Sequence, residues 1–130
     1  MTGNRMRVED VLEEIRMKLE EKIRRQLSGL QGFVVRPIYN SIMPLHVEMS
    51  LQSEVSEFIF LEGGAVKLNH DRSPNPDVRI ESDPETFMSL FQNPSTGLFK
   101  ELESRNKIRI ESVTKKGRDA EGYIRRYLVS

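Results

Sequence analysis

The fold is decided by residues 58–66, FIFLEGGAV, where an apolar run meets a pair of glycines. Successive side chains of a strand alternate between its two faces, so Phe58 and Phe60 are predicted to share one face. Gly63 and Gly64 adopt positive φ angles without steric cost, as a tight hairpin turn requires. The stretch therefore predicts a strand, a glycine turn and a second strand that returns beside the first.

On both sides of this hairpin, apolar and polar side chains alternate with a period of two, which indicates further strands. Short connections join the first three strands, so we expect them to form an antiparallel meander. The prediction is an α/β fold of the α+β kind, with a five-stranded, mainly antiparallel sheet covered by helices. The predicted strands cover residues 45–52, 55–62, 65–69, 77–82 and 107–113.

A long amphipathic helix is predicted ahead of the sheet, because apolar residues recur at spacings of three and four up to Leu30. Its apolar stripe packs on the chain's own sheet or seeds a dimer. Its polar face carries three pairs of a glutamate and a basic residue four positions later, an order that stabilises helices. These pairs are Glu14–Lys18, Glu20–Arg24 and Glu21–Arg25.

Other helices are predicted in the connections. Residues 29–44 form a connector with one short helix. Ser82 and Glu85 have the spacing of a capping box, so a helix is predicted to start there. A second short helix follows Ser95, and a closing helix covers about residues 116–128.

The composition excludes several kinds of site. The chain has 130 residues, 20 of them Lys or Arg and 20 Asp or Glu, and it has no cysteine. A zero net charge argues against nucleic-acid binding driven by phosphate neutralisation. Without cysteine, and with only His46 and His70, no thiolate or three-histidine metal site is expected, and no cofactor is predicted. We expect one domain over residues 1–130 and, without an apolar signal region, a cytoplasmic protein.

Charge is unevenly distributed along the chain. Residues 31–99 carry four basic and nine acidic side chains, whereas residues 100–130 carry nine basic and five acidic ones. Two solvated faces of one domain account for this pattern. A basic end that meets anionic membrane surfaces or acidic partners also accounts for it.

No enzyme signature is found in the sequence, since a nucleophile elbow and a phosphate-binding loop are both absent. His46 and His70 are predicted to be exposed residues rather than catalytic bases. Acidic residues near the strands can include a paired carboxylate, but their spacing does not require one. These residues are Glu48, Glu57, Glu62, Asp71 and Asp77.

Bulky apolar residues concentrate on the second strand and on the two helices after the sheet. An ordinary aromatic core accounts for them, and so does the lining of a cavity for a flexible apolar ligand, because Met and Phe suit such a lining. The residues are Phe58, Phe60, Phe87, Met88, Phe91, Leu98, Phe99 and Leu102.

Three motifs follow one another in an order that resembles the sterol carrier protein type-two family. They are residues 58–66, residues 76–87 (PDVRIESDPETF) and residues 107–112 (KIRIES). The resemblance covers roughly residues 8–128. It departs from the family's pattern after the fifth strand, where residues 112–114 replace a Gly-Asp turn.

This resemblance implies an apolar tunnel between sheet and helices that holds a fatty acid, an acyl-CoA, a sterol or an isoprenoid-like lipid. The lipid would be transferred or presented without catalysis. The eight bulky apolar residues above would line the tunnel, and Tyr123 and Tyr127 on the closing helix would cover it as a lid. Nearby cations would meet an acyl headgroup or make transient contact with an anionic membrane: Lys115, Lys116, Arg118, Arg125 and Arg126.

Two alternatives stay open. In the first, a protein-interaction module of the same fold fills its core with side chains and forms a homodimer through the long helix or an open sheet face. In the second, the protein is an enzyme acting on an acyl-CoA or a similar substrate. Glu62, His70 or Asp71 would then be the base.

Overall fold

The computed structural model describes residues 8–29, 32–52, 54–71, 74–93 and 95–129, without the side chains of Val8, Phe91, Thr96 and residues 126–129. Five helices and five strands lie in these ranges. The helices are α1 (Val8–Ser28), α2 (Gly32–Ser41), α3 (Pro84–Gln92), α4 (Thr96–Ser104) and α5 (Lys115–Val129). The strands are β1 (Leu45–Leu51), β2 (Glu54–Phe60), β3 (Val66–Asn69), β4 (Val78–Ser82) and β5 (Ile108–Ser112).

The strands form one sheet in the order β3-β2-β1-β4-β5. The pairs β1–β2, β2–β3 and β4–β5 are antiparallel, and β1–β4 is parallel. The predicted meander and the mainly antiparallel, five-stranded α+β fold are confirmed. The parallel pair arises because the chain crosses from β3 at one edge to the far side of β1 before it enters β4.

One face of the sheet packs against helices, and we call it the inner face. Its residues alternate along each strand, as the register shows for Val47 of β1, which aligns with Phe58 of β2 and Val78 of β4. The apolar stripe of α1 completes this core. Its six buried members, none more than 8 % exposed, are Val11, Leu12, Ile15, Leu19, Ile23 and Leu27.

The polar side of α1 carries the predicted ion pairs. Lys18 Nζ lies 3.1 Å from Glu14 Oε1, and an Arg24 nitrogen lies 3.4 Å from Glu20 Oε1. Arg25 and Glu21 form the third pair. All three predictions are confirmed.

The glycine turn after β2 is a single 3-10 turn over Glu62–Gly64. Gly63 and Gly64 have φ angles of 78° and 94°, as the sequence predicts. Gly64 also touches α1, since an added Cβ would lie 3.2 Å from Ile23 Cγ2. The turn is therefore held against the end of α1.

The predicted capping box at α3 is wrong. Asp83, not Ser82, is the capping residue, and its Oδ1 accepts the Thr86 N–H at 2.8 Å while its Oδ2 accepts the Thr86 hydroxyl at 2.6 Å. Ser82 stays in β4 opposite Ile108, and its hydroxyl donates to the Lys107 carbonyl. A carboxylate with two acceptor atoms caps better than a hydroxyl that is already occupied in the sheet.

Candidate functional site

The predicted site residues lie between the inner face and the helices that cover it. Phe58, Phe87 and Phe99 are buried, with at most 4 % of their surface exposed. The half-buried members pack against the same core: Phe60, Met88, Leu98 and Leu102. The structure thus brings seven of the ten predicted residues to one apolar layer.

The other three predicted residues are placed differently. Tyr123 lies on α5 with 42 % of its surface exposed. The side chains of Phe91 on α3 and Tyr127 on α5 lie outside the described residues.

Local sequence explains how the buried rings reach this layer. Phe58 and Phe60 align with Val47 and Leu45 of β1, so both rings are on the inner face. On α3, the cap at Asp83 fixes where the helix begins, and the Phe87 N–H donates to the Asp83 carbonyl at 3.0 Å.

The second short helix is capped in the same way. The Ser95 hydroxyl accepts the Leu98 N–H at 3.1 Å, and α4 then presents Leu98, Phe99 and Leu102 at helical spacing. Both lining helices, α3 and α4, therefore begin at a defined cap.

One end of α5 is attached to β4 through the buried Asp77. Its Oδ2 accepts the His46 N–H at 3.0 Å, its Oδ1 accepts the Thr114 hydroxyl at 2.7 Å, and its carbonyl accepts the Val113 N–H at 2.8 Å. The Gly117 N–H in turn donates to Thr114 Oγ1 at 2.9 Å. These bonds attach the start of α5 firmly to the sheet.

In the second half of α5, the described polar contacts are made by the side chain of Arg125. Arg125 donates to Glu103 of α4 at 3.1 Å and to Glu121 at 3.3 Å, and its guanidinium lies 5.5 Å from the centre of the Phe99 ring. A hydrogen bond from the Ser112 hydroxyl, helped by Arg125, lowers the pKa of Glu121 despite partial burial. Glu121 is therefore anionic at neutral pH and pairs with Arg125.

A network of titratable groups lies on the opposite, outer face of the sheet. His46 Nδ1 is 2.9 Å from Glu57 Oε2, and Asn69 Nδ2 donates to Glu57 Oε1 at 3.3 Å. Glu48 lies directly across from Glu57 and pairs with Arg79 at 3.2 Å. This network was not predicted from the sequence. If the residues of β1 and β2 are paired one by one, starting from the turn that joins the strands, His46 and Glu57 come to lie near each other on neighbouring strands.

The groups proposed as enzymatic bases do not converge. Glu62, His70 and Asp71 lie outside the apolar layer, and His70 and Asp71 are exposed. In the described ranges, no three His, Cys, Asp or Glu residues form a group that would hold a metal ion. Nor is any described helix both long enough and apolar enough to span a bilayer.

Comparison with known proteins identifies the fold through similarity of structure and not of sequence. No family model matches the sequence, and no curated protein matches it. Several solved structures match over nearly their whole length. One described as "UbiJ-SCP2 Ubiquinone synthesis protein" has a TM-score of 0.56 at 6 % identity, over 90 % of this chain and 95 % of that one.

Two others are insect proteins. Sterol carrier protein 2 like 2 from Aedes aegypti has a TM-score of 0.54 at 13 % identity, over 92 % of this chain and 98 % of that one. Sterol carrier protein domain 2 of Helicoverpa armigera has a TM-score of 0.55 at 12 % identity, over 95 % and 93 %. The expected resemblance is confirmed at the level of the fold.

Proposed function

We propose that this chain, which has the fold of sterol carrier protein 2 domains, binds the apolar part of a lipid between the inner face and helices α3, α4 and α5. The fold is the observation that carries the proposal. The lipid is a fatty acid, an acyl-CoA, a sterol or an isoprenoid-like molecule, and residues 1–130 act as one binding domain. The protein transfers or presents this lipid and does not alter it.

The apolar layer supports this function. Phe58, Phe87 and Phe99 provide a deep aromatic floor, while the half-buried Met88 and Leu102 lie nearer the surface. Flexible thioether and branched side chains adapt to ligands of irregular shape. A lipid would enter beside Met88 and Leu102 and place its chain against the rings.

The titratable groups on the outer face do not act on a lipid bound in the apolar layer. His46, Glu48 and Glu57 lie on the outer face, so the sheet separates them from the apolar layer. A general base must come within hydrogen-bond reach of its substrate. A lipid on the inner face is out of reach of these groups.

Titration with a fluorescent fatty acid tests the proposal, together with native mass spectrometry of the purified chain. We expect micromolar binding that Met88→Lys abolishes, because a charge would have to be desolvated in the apolar layer. Ser89→Lys is the matched control, since Ser89 is the next residue of α3 and is exposed. Absence of any bound lipid, or equal binding by both variants, would contradict the proposal.

A filled core is the second candidate, and the burial of Phe58, Phe87 and Leu90 to 1 % or less favours it. In that case the fold would serve as a protein-interaction module. Thermal unfolding separates the two candidates, because a ligand that binds only the folded state raises the unfolding temperature. A filled core predicts no shift with any of the four lipid classes.

Membrane contact is part of the proposal, and the basic end of the chain is one candidate surface. Of its cations, Lys115 and Arg118 are exposed. Lys116 Nζ donates to the Pro44 carbonyl at 2.9 Å, and Arg125 is engaged by Glu103 and Glu121. The side chain of Arg126 lies outside the described residues.

Helix α2 is the second candidate surface. It presents Phe33, Val34 and Ile38 with 83 %, 69 % and 47 % of their surfaces exposed, while Val35 and Tyr39 pack on the core. The sequence from residue 22 to residue 47 contains four Lys or Arg residues and no acidic one. An exposed apolar helix face suits the interface of a bilayer. Of the basic residues, Arg24 and Arg25 are paired with glutamates of α1.

Flotation with anionic and zwitterionic vesicles distinguishes the two surfaces. If α2 docks, the double variant F33S/V34S loses most of its binding to anionic vesicles and K115E/R118E keeps it. If the basic end docks, the pattern reverses. If neither double variant weakens binding to the vesicles, the membrane is not contacted through either of these two surfaces.

A further inference from the structure

The two edges of the sheet differ in how their backbone groups are used. At β3, Glu20 and Arg16 of α1 reach the backbone of Val66. Glu20 Oε2 accepts the Val66 N–H at 2.9 Å, and Arg16 Nη1 donates to the Val66 carbonyl at 3.2 Å. Because these main-chain groups are occupied, a further strand cannot pair with the start of β3.

At the opposite edge, no described strand pairs with the outer side of β5. In the part of the chain that the structure describes, β5 is the last strand of the sheet, and the Ser82 hydroxyl bonds to the Lys107 carbonyl just before it. Arg109 has 66 % of its side chain exposed, and Ile110 is only half-buried although it lies on the inner face. An edge of this kind offers N–H and C=O groups to another strand.

Charges on the outer face form cross-strand rows that alternate in sign. Glu48 of β1 lies beside Arg79 of β4 at 3.2 Å, and Arg79 lies opposite Glu111 of β5. In the next row, Glu81 lies beside Arg109 at 3.6 Å. Both rows end at β5, one on an anion and the other on a cation.

A second β5 strand in antiparallel register about Ile110 would extend both rows. A two-fold axis through Ile110 places Arg109 of each copy opposite Glu111 of the other. Each row of alternating charges then runs through both molecules. On the inner face, the two Ile110 side chains would face each other. Opposite charges that face each other across two strands stabilise the pair.

We propose that the open edge of β5 is a homodimerisation surface, on which two copies pair their β5 strands antiparallel about Ile110. A second copy of this chain fits better than an unrelated strand, because Arg109 and Glu111 are placed symmetrically about the centre of β5. A strand pair of five residues buries less area than a standard interface, so the dimer is weak and concentration-dependent. It does not depend on whether the core accepts a lipid.

Sedimentation velocity on the full chain tests the pairing with two charge-reversal variants. Arg109→Glu puts like charges opposite each other in its homodimer, and Glu111→Arg does the same with the opposite sign. Each alone is expected to weaken association about tenfold. An equimolar mixture restores it, because the glutamate introduced in one variant then faces the arginine introduced in the other. The unchanged Glu111 and Arg109 of the two chains also face each other in this heterodimer.

Lys67→Glu is the matched control, since it reverses an exposed charge on the outer face of β3 at the far edge. It leaves association unchanged, and thermal unfolding checks that each variant folds. Hydrogen exchange of the wild-type chain adds a readout that needs no variant. The amides of β5 exchange more slowly at high protein concentration if the strands pair.

Three results would overturn the proposal. One is a wild-type chain that stays monomeric up to ~1 mM, well above the range of standard interfaces. Another is a mixture of the two variants that associates no better than either alone. The third is a Lys67→Glu chain that dissociates as much as the β5 variants.

Discussion

At Gly117 the first turn of α5 passes so close to β4 that no side chain fits. A Cβ added there would lie 1.9 Å from the Asp77 carbonyl oxygen. The Asp77 oxygen is a main-chain atom, and the added Cβ would be bonded directly to the Cα of residue 117. Rotation of a side chain therefore cannot relieve the contact. The absence of a side chain at Gly117 therefore determines where α5 meets the sheet.

Gly117→Ala is expected to destabilise the protein by about 1–3 kcal/mol, as overpacking at a rigid contact does. Gly122→Ala is the matched control on the same helix, because nothing lies within 4 Å of its added Cβ. That substitution is expected to stabilise by about 0.5–1 kcal/mol, since alanine favours helix. Urea unfolding of both variants measures the difference, and equal effects would contradict this account of Gly117.

The stability that Asp83 gives to the start of α3 depends on pH. Burial alone would raise the pKa of Asp83, but the hydrogen bonds from the Thr86 hydroxyl and N–H, with the charge of Lys107, together lower it. A group whose pKa is lower in the folded state stabilises the protein above its unfolded value, which is about 3.9 for Asp. The contribution is lost as the pH falls through the folded value.

Asp83→Ala is therefore expected to cost about 1 kcal/mol at pH 7 through loss of the cap, and less as the pH falls below about 4. Ser82→Ala removes a hydroxyl that does not titrate, so its smaller cost does not change with pH. Chemical unfolding at several pH values compares the two. A cost of Asp83→Ala that stays constant down to about pH 2 would refute the role of the carboxylate.

Helix α5 is attached in different ways at its two ends. The start is bound through main-chain groups to Asp77, whereas the second half is held to α4 by Arg125 and Glu103. A partly exposed ion pair contributes about 0.5–1 kcal/mol. We therefore expect the second half of α5 to open more easily than the start.

Arg125→Gln is expected to speed hydrogen exchange in the second half of α5 by roughly two- to fivefold, in line with the loss of such an ion pair. Exchange at the start of the helix, near Thr114, stays unchanged. Arg118→Gln is the control, since Arg118 is an exposed cation on the same helix. If Arg118→Gln has the same effect as Arg125→Gln, the ion pair does not hold the helix.

Local patterns in the sequence predicted most of the elements, because helices and strands depend on spacings of two to four residues. The stripe of α1, its three ion pairs and the turn at Gly63 and Gly64 are of this kind. The cap at Asp83 was missed because serine and aspartate are both good capping residues. Only the bond from Ser82 to Lys107, far along the chain, decides between them.

The sheet order and the outer-face network depend on contacts that no local pattern contains. The parallel pairing of β1 with β4 requires a crossing over the meander, which neither strand's alternation encodes. The contact between His46 and Glu57 requires the register of β1 against β2. Of the candidate site, the alternation predicted that Phe58 and Phe60 share a face, but not how deeply each is buried.

In the whole molecule, the sheet separates two chemically different sides. Apolar side chains and helices lie on the inner side, whereas His46, Glu57 and Glu48 lie on the outer side with their polar partners. A lipid carrier would use the apolar inner side, whereas an enzyme would need titratable groups such as those on the outer side. For a carrier, changes on the outer face affect stability and not the ligand.

Glu57→Gln is accordingly expected to leave the affinity for a fatty acid within about twofold while lowering the stability of the fold, because Glu57 is a buried hydrogen-bond acceptor. Met88→Lys serves as the contrasting variant, which loses the ligand. Binding titrations and urea unfolding on both proteins separate the effects. A large loss of affinity in Glu57→Gln would show that the two sides are coupled.

The side chains of α1 that block β3 also determine how many neighbours one molecule can have. Glu20 and Arg16 occupy the start of β3, so pairing through β5 as proposed would stop at two copies. If the side chains of Arg16 and Glu20 release Val66, each molecule gains a second edge for pairing, and units with two such edges grow into open-ended fibres. These two bonds thus limit the number of neighbours of each molecule, and loss of the two polar side chains would favour polymerisation while the apolar stripe of α1 stays packed in the core.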